Sequence, residues 1–155
     1  MQIRPIADTD IAAVAAMMRA LSQEFIVHEG SAAAASSFVR ENDEPDLRGF
    51  IGAGIMYHVA EKAGHIVGFI AVREQKHLFH MFVAKQHHRQ GIAAALWKVA
   101  RQAAMEAGNP GLFTVNSSNF AVPVYRAMGF VQTEPTQSKN GIFYNPMLLN
   151  GSAGD

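Results

Sequence analysis

The chain has no cysteine among its 155 residues, which removes disulfides, thiolate metal sites and cysteine nucleophiles together. It has no excess of either charge: 13 Lys and Arg balance 13 Asp and Glu, so no global field recruits DNA or RNA. A nucleic-acid partner needs a local patch, and the only dense basic stretch is the short turn at 85–89. No apolar run approaches the roughly 18 to 20 residues of a membrane helix, and the opening Met-Gln-Ile-Arg-Pro lacks the apolar core of a signal peptide. The expectation is a soluble cytoplasmic protein that uses neither nucleic acid nor membrane. With 49% hydrophobic and 17% charged residues, the chain suits one domain over 1–150 and a flexible tail at 151–155.

The chain contains no repeat and no linker. Residues 2–6 read as a first strand. A helix follows over "DTDIAAVAAMMRAL", where Asp8 or Thr9 caps it and Ile11, Val14, Met18 and Leu21 recur at helical spacing. The pattern lapses over 22–30. "SAAAASSFVREND" reads as a second helix capped by Ser31 and ended by Pro45 and by glycines 49, 52 and 54, which are expected in a loop. From Ile55 the period becomes that of strands: "IMYHVAEK", "HIVGFIAVRE" and "HLFHMFVA" predict an antiparallel meander. After a helix from about Ile92, the stop Gly108-Asn109-Pro110-Gly111 precedes the strand "LFTVN". A short helix "NFAVPVYRAM" and two closing strands, "FVQTE" and "GIFYNPMLL", complete the chain. Strand, helix and strand across 78–116 make the flanking strands parallel neighbours by right-handed crossover, so the sheet is mixed.

The junction "FVAKQHHRQGIAAALWKVARQAA" carries the strongest local signal. A helix that starts at once after a buried strand presents unpaired N–H groups and a partial positive charge to whatever lies above the turn. Gly91 lets a ligand approach the backbone, alanines 93, 94 and 95 keep the first turn slim, and Lys85, His87, His88 and Arg89 add donors. A diphosphate fits such a site. Ile92, Leu96, Val99 and Ala103 are expected to anchor the helix, with Lys98, Arg101 and Gln102 facing water. Neither the Gly-Lys-Ser/Thr of a Walker loop nor the three spaced glycines of a dinucleotide fingerprint is present, and Gly52-Ala53-Gly54 follows no convincing strand. Of the seven histidines, only His77 with His80 and His87 with His88 are close, and neither spacing puts two imidazoles on one face of regular structure, so no metal is expected. The eight methionines read as core filler.

These motifs resemble those of the GNAT superfamily of acyl-CoA-dependent N-acyltransferases. Its pyrophosphate loop reads Gln/Arg-x-x-Gly-x-Gly/Ala, and His88-Arg89-Gln90-Gly91-Ile92-Ala93 matches it in all but the first residue. A second family signature, Ala-x-x-x-Tyr-x-x-x-Gly-Phe, is reproduced by "AVPVYRAMGF" from Ala121 to Phe130. The Asn common seven residues before that Tyr is Ser118 here, flanked by Asn116 and Asn119, which are expected to share its contacts. The resemblance implies an α/β (α+β) fold: a mixed, mostly antiparallel sheet of six to seven strands flanked by about four helices, in which the strands at 77–84 and 112–116 splay apart to admit acetyl-CoA. It implies that the pantetheine arm bonds the backbone of Met81, Phe82 and Val83, that residues 88–93 hold the diphosphate, and that Arg89 or Lys85 is in reach of the 3'-phosphate.

An alkyl amine is only about one part in a thousand neutral at pH 7, so a base must help deprotonate it before it attacks the thioester. The position from which family members use a strand-borne Glu is His77 here, and His80 is the second candidate. Alternation puts the two on opposite faces unless a bulge intervenes. Tyr125 is the residue the resemblance offers as proton donor to the departing CoA thiolate, and a backbone N–H around Met81 or Phe82 would meet the oxyanion. Pro123 is comfortable only in a first turn, so this helix is expected to begin near Asn119 with Asn119 as cap.

Two functions follow from the resemblance: an N-acetyltransferase moving acetyl from acetyl-CoA directly to a primary amine of a small molecule or peptide, or a noncatalytic acyl-CoA-binding or regulatory module on the same scaffold. Retention of Tyr125 favours the enzyme. Glu24, Glu29 and Glu134 lie in the segments that shape the acceptor site in the family and are candidates to meet a cationic amine. The oligomeric state is left open, with a homodimer among the options.

Overall fold

The computed structural model describes residues 1–25 and 43–151. The elements run β1 (Gln2–Pro5), a 3-10 turn (Asp8–Asp10), α1 (Ile11–Phe25), α2 (Glu44–Gly52), β2 (Met56–Lys62), β3 (His65–Arg73), β4 (His77–Val83), α3 (Ile92–Glu106), β5 (Leu112–Ser117), α4 (Val122–Ala127), β6 (Val131–Gln132), β7 (Gln137–Lys139) and β8 (Ile142–Asn150). Among the described residues, eight strands form one sheet in the order β1-β2-β3-β4-β5-β8-β6, with β7 paired to β8. Every pairing is antiparallel except β4 with β5. This is the mixed sheet expected, with one more strand: β7 is three polar residues with no apolar alternation to betray it.

The nearly continuous apolar run of "HIVGFIAVRE", β3, needs both faces of the sheet covered, and two apolar layers do this. Ile70, Val72, Leu78, Leu96, Trp97, Phe113, Val115 and Phe130 fill the layer under α3 and α4. Ile11, Val14, Met18, Leu47, Tyr57, Val59, Phe69 and Ala71 fill the layer under α1 and α2. Alternate residues of β3 feed the two layers, as a doubly covered central strand requires.

Four local expectations are corrected. Asp8 and Thr9 do not cap α1; they lie in the 3-10 turn, and Asp10 closes it, accepting from the Ala7 N–H at 2.8 Å while Arg4 clasps its carboxylate at 2.7 and 3.0 Å. That guanidinium holds the Asp10 carboxyl below its ordinary range. Pro45, Gly49 and Gly52 do not mark a loop: Asp43 caps α2, Pro45 occupies its first turn, where a missing N–H costs nothing, and the glycines lie within it. The helix read over 31–43 lies outside the described residues, apart from Asp43. The buried stripe of α3 is Ile92, Leu96, Trp97, Ala100 and Ala104, so the helix is rotated from the expected Val99 and Ala103 face because Trp97 packs edge-on to Phe113 at 4.9 Å and against Phe130 at 5.6 Å. Finally, α4 starts at Val122, not near Asn119. Pro123 sits in its first turn as required, but the preceding turn is closed by Ser118, whose Oγ accepts from the Ala121 N–H at 3.2 Å.

Gly68 of β3 positions the functional region. A Cβ there would stand 3.0 Å from the Phe82 carbonyl, 3.2 Å from Leu96 and 3.4 Å from Ile92, so its absence lets the first turns of α3 lie directly on the sheet. Gly68→Ala is expected to destabilise the fold by about 1–3 kcal/mol, the usual range for an overpacked core. Gly49→Ala, in α2 with open space around it, should instead stabilise by about 0.5–1 kcal/mol. Urea unfolding of the two variants checks the opposite signs.

Candidate active site

The parallel pair β4 and β5 is short. Cα partners exist only at His77 with Thr114 and Leu78 with Val115, after which the strands diverge. Backbone polarity along β4 beyond that point follows from its ladder with β3. The Ala84 N–H donates to the Val67 carbonyl at 2.8 Å, and Val83 stands opposite Gly68. Alternation then turns the Phe82 groups toward Phe69, and those of Met81 and Val83 toward the divergence, where β5 offers no partner. Of the three positions named on this strand, two face the split and Phe82 belongs to the sheet.

Above the split the chain turns through a 3-10 turn at Lys85–His87 into α3. Arg89 and Gly91 both adopt left-handed backbone, at φ 64° and 78°. For Arg89 this is uncommon, since its Cβ crowds the following carbonyl. Such left-handed residues beside right-handed ones turn successive N–H groups into one concavity, the arrangement called an anion nest. No side chain caps α3 at Gly91, so the first N–H groups of the helix, from Ile92 and Ala93 on, keep their open ends. Gln90 lies beside His87 with its Oε1 3.2 Å from the ring Nδ1. Arg89 is exposed, as is Lys85. His88 replaces the expected Gln or Arg and has a use of its own: its Nε2 donates to the Val83 carbonyl at 2.7 Å, tying the turn back onto the strand it follows. Its ring also lies 6.1 Å from that of the exposed Phe120, across the split.

The two candidate bases come together. The β3–β4 register slips between Ala71, opposite His80, and Val72, opposite Leu78, leaving Phe79 as the extra residue of a bulge. Because His77 stands opposite Arg73 and His80 opposite Ala71, two residues apart on β3, both histidines lie on the α1 face. The bulge is the condition under which simple alternation fails. His80 sits in an aromatic cage, with ring centroids of Phe79 at 4.1 Å and of Phe50 and Phe82 at 6.3 Å, and its Nδ1 is 3.4 Å from the Tyr57 hydroxyl. Burial first, and the nearby His77 second, push its pKa down to about 3. His77 is lowered too, by burial and then by the Arg73 charge, and its Nδ1 is 2.8 Å from the Thr114 Oγ1.

Tyr125 projects from α4 into the α3 layer, 4% exposed, with Phe130 edge-on at 5.6 Å. Burial raises its pKa, so the hydroxyl keeps its proton. Ser118 closes the turn ahead of α4, Asn116 is exposed on β5, and the Asn119 Oδ1 accepts from Asn145 at 2.8 Å. Glu134 is engaged locally by the Gln137 amide. Glu29 and the side chain of Glu24 lie outside the described residues. Sequence reasoning passed over Thr114, Tyr57, Phe79 and Asn145; the available signal was polar residues at inward-facing strand positions, of which Asn145 is 2% exposed.

The geometry is two parallel strands that part beneath a helix N-terminus with no side-chain cap, a shape that suits an extended ligand with an anionic end. Residues 16–150 match the family described as Acetyltransferase (GNAT) domain, and the chain belongs to that family. It is 34% identical over 97 residues to rat N-acetyltransferase family 8 member 2, covering 56% of this chain and 43% of that protein. It is likewise 34% identical over 93 residues to human N-acetyltransferase 8, covering 52% and 40%. The matched region is under half the length of these curated relatives. Among solved structures, a GCN5-related N-acetyltransferase from Rhodopseudomonas palustris superposes with a TM-score of 0.78 at 22% identity, covering 95% of this chain and 93% of that one. The PaiA N-acetyltransferase from Thermoplasma acidophilum, solved in complex with coenzyme A, does so with 0.79 at 16% identity, covering 95% and 96%. Among the described residues no helix is long and apolar enough to cross a membrane.

The His80 shift has a measurable consequence for stability. Below the ordinary imidazole value of about 6.5 the unfolded chain takes up a proton at His80 that the folded chain refuses, so stability falls as pH drops from about 6.5 toward 3 and is unaffected by this group above. His80→Phe, which suits the aromatic cage, is expected to make the decline between pH 6.5 and pH 5 shallower by up to about 1.4 kcal/mol per pH unit. Urea unfolding at a series of pH values checks this, and an unchanged slope would contradict it.

Proposed function

We propose that the chain is an N-acetyltransferase that carries acetyl from acetyl-CoA to a primary amine by direct attack in a ternary complex. The observation that carries this reading is the strand pair that parts after two residues beneath an uncapped helix N-terminus. Family membership and the names of the rat and human relatives support acetyl transfer to nitrogen.

In this reading the diphosphate takes N–H groups of residues 89–93, where the helix dipole and the nest favour negative charge, while the His88 N–H stays on the Lys85 carbonyl at 3.2 Å. The pantetheine amides bond to Met81 and Val83, completing β4 as an added strand would. Val83 then shares its carbonyl with His88. The thioester carbonyl lies near the Met81 N–H, the donor that faces the split and meets the oxyanion as the tetrahedral intermediate forms.

His77 is the proposed base. A group near pKa 3, such as His80, is a poor acceptor for an ammonium proton, whereas His77 is anchored through Nδ1 on Thr114, leaving Nε2 to take the proton. His80 and its cage then shape the acceptor side. His77 takes one proton from the ammonium and passes it to solvent; the neutral nitrogen then bonds to the carbonyl carbon and gives a second proton to His77, the C–S bond breaks as the intermediate collapses, and Tyr125, held protonated by burial, gives its proton to the leaving sulfur. Solvent restores both groups.

Titration calorimetry with acetyl-CoA, together with release of CoA thiol in the presence of spermidine, lysine, an Ala-starting peptide and hydroxylamine, tests the reading. Tyr125→Phe is expected to keep cofactor affinity and slow turnover about tenfold or more. Gly91→Ala should weaken acetyl-CoA binding about tenfold, because a Cβ at φ 78° costs about 1–2 kcal/mol and distorts the nest. Tight binding with no thiol release from any of these amines would support the noncatalytic module instead, and no heat from acetyl-CoA would overturn both.

A further inference from the structure

Asn145 of β8 is a buried polar residue with every bond made. Its Nδ2 donates to the Ser117 carbonyl at 3.1 Å and to the Asn119 Oδ1 at 2.8 Å; its Oδ1 accepts from the Gln132 Nε2 at 3.2 Å and the Thr136 Oγ1 at 2.6 Å. An amide has two donors and an oxygen with two lone pairs, so the residue is saturated. The four partners belong to four different segments: the end of β5, the turn leading into α4, β6, and the loop ahead of β7.

Two of these routes lead to the same helix. Asn119 lies three residues before Val122, the first residue of α4. Gln132 accepts from the Arg126 guanidinium at 3.5 Å, in the last turn of α4, and spends its other N–H on the Glu134 carbonyl at 2.9 Å. The helix is six residues long, too short to hold itself, so its placement comes from its surroundings. It is tied at both ends to one buried amide, and it carries Tyr125. Of the other two routes, one ends on the Ser117 carbonyl of β5 and the other, through Thr136, reaches the loop between β6 and β7.

We infer that Asn145 is a positioning residue that sets Tyr125 over the leaving sulfur and joins that placement to the β6–β7 loop. This rests on the reading of Tyr125 as proton donor. A carboxylate at the same place would have the same shape but no N–H to give, leaving the Ser117 carbonyl and Asn119 Oδ1 facing a third acceptor.

A double-mutant cycle tests the inference, with hydroxylamine as the acceptor because it is uncharged at neutral pH and needs no base. Asn145→Asp should lower kcat about tenfold and Thr136→Val, an exposed and milder change, about threefold, while the acetyl-CoA Kd from calorimetry moves less than threefold. In the Tyr125→Phe background both effects should shrink below twofold, since a group that acts through Tyr125 has nothing left to position. If Tyr125→Phe slows turnover and the Asn145 and Thr136 effects multiply onto it undiminished, the positioning role is wrong and the donor reading stands. If Tyr125→Phe leaves turnover unchanged, the donor reading fails and takes this inference with it. Should Asn145→Asp not fold, Thr136→Val in the two backgrounds decides alone.

Discussion

The structure depends on a zipper that stops early. Two parallel strands at the centre of the sheet share two residue pairs and then separate, although both continue as strands on their other edges. Buried backbone groups are almost always paired, so an interior strand that leaves the amides and carbonyls of Met81 and Val83 without a strand partner is a fold held open at a definite cost. The cost is borne by the surroundings. Gly68 brings α3 down onto the sheet, the two apolar layers clamp β3 and β4 from both sides, and the bulge at Phe79 turns the strand just where the parting begins.

Around that opening the polar residues divide into two kinds. Some are arranged so that a group stays unspent, as in the first N–H groups of α3. Others are saturated, and these fix geometry: Asn145 with its four bonds, and Asp10, which closes a turn while Arg4 grips it. A saturated buried amide restricts its partners to one arrangement, whereas apolar packing alone admits several of nearly equal energy. That the saturated amide lies beneath the shortest helix of the described residues is consistent with what each needs.

Much of this was legible in the sequence where a single local rule decides. The meander, the crossover helix and the parallel pair follow from periodicity and connection handedness. The failures are places where two rules compete. Pro45 and the glycines near it read as punctuation, yet a proline two residues after an Asp cap is a helix start, and only the apolar contacts of Leu47 and Phe50 decide between the two. The face of α3 turned on whether Trp97 goes inward, which depends on Phe113 and Phe130, residues distant in sequence. The bulge at Phe79, which unites His77 and His80, has no sequence mark because it comes from the mismatch between β3 and β4. Nor does one strand announce that Asn145 will meet four others.

His88 has an implication for timing. By holding the turn against Val83, it settles the shape of the segment between β4 and α3 while the chain folds. The entropy of ordering that segment is therefore charged to folding, and whatever approaches the head of α3 encounters a receptor already formed, an arrangement in which association loses little to induced rearrangement.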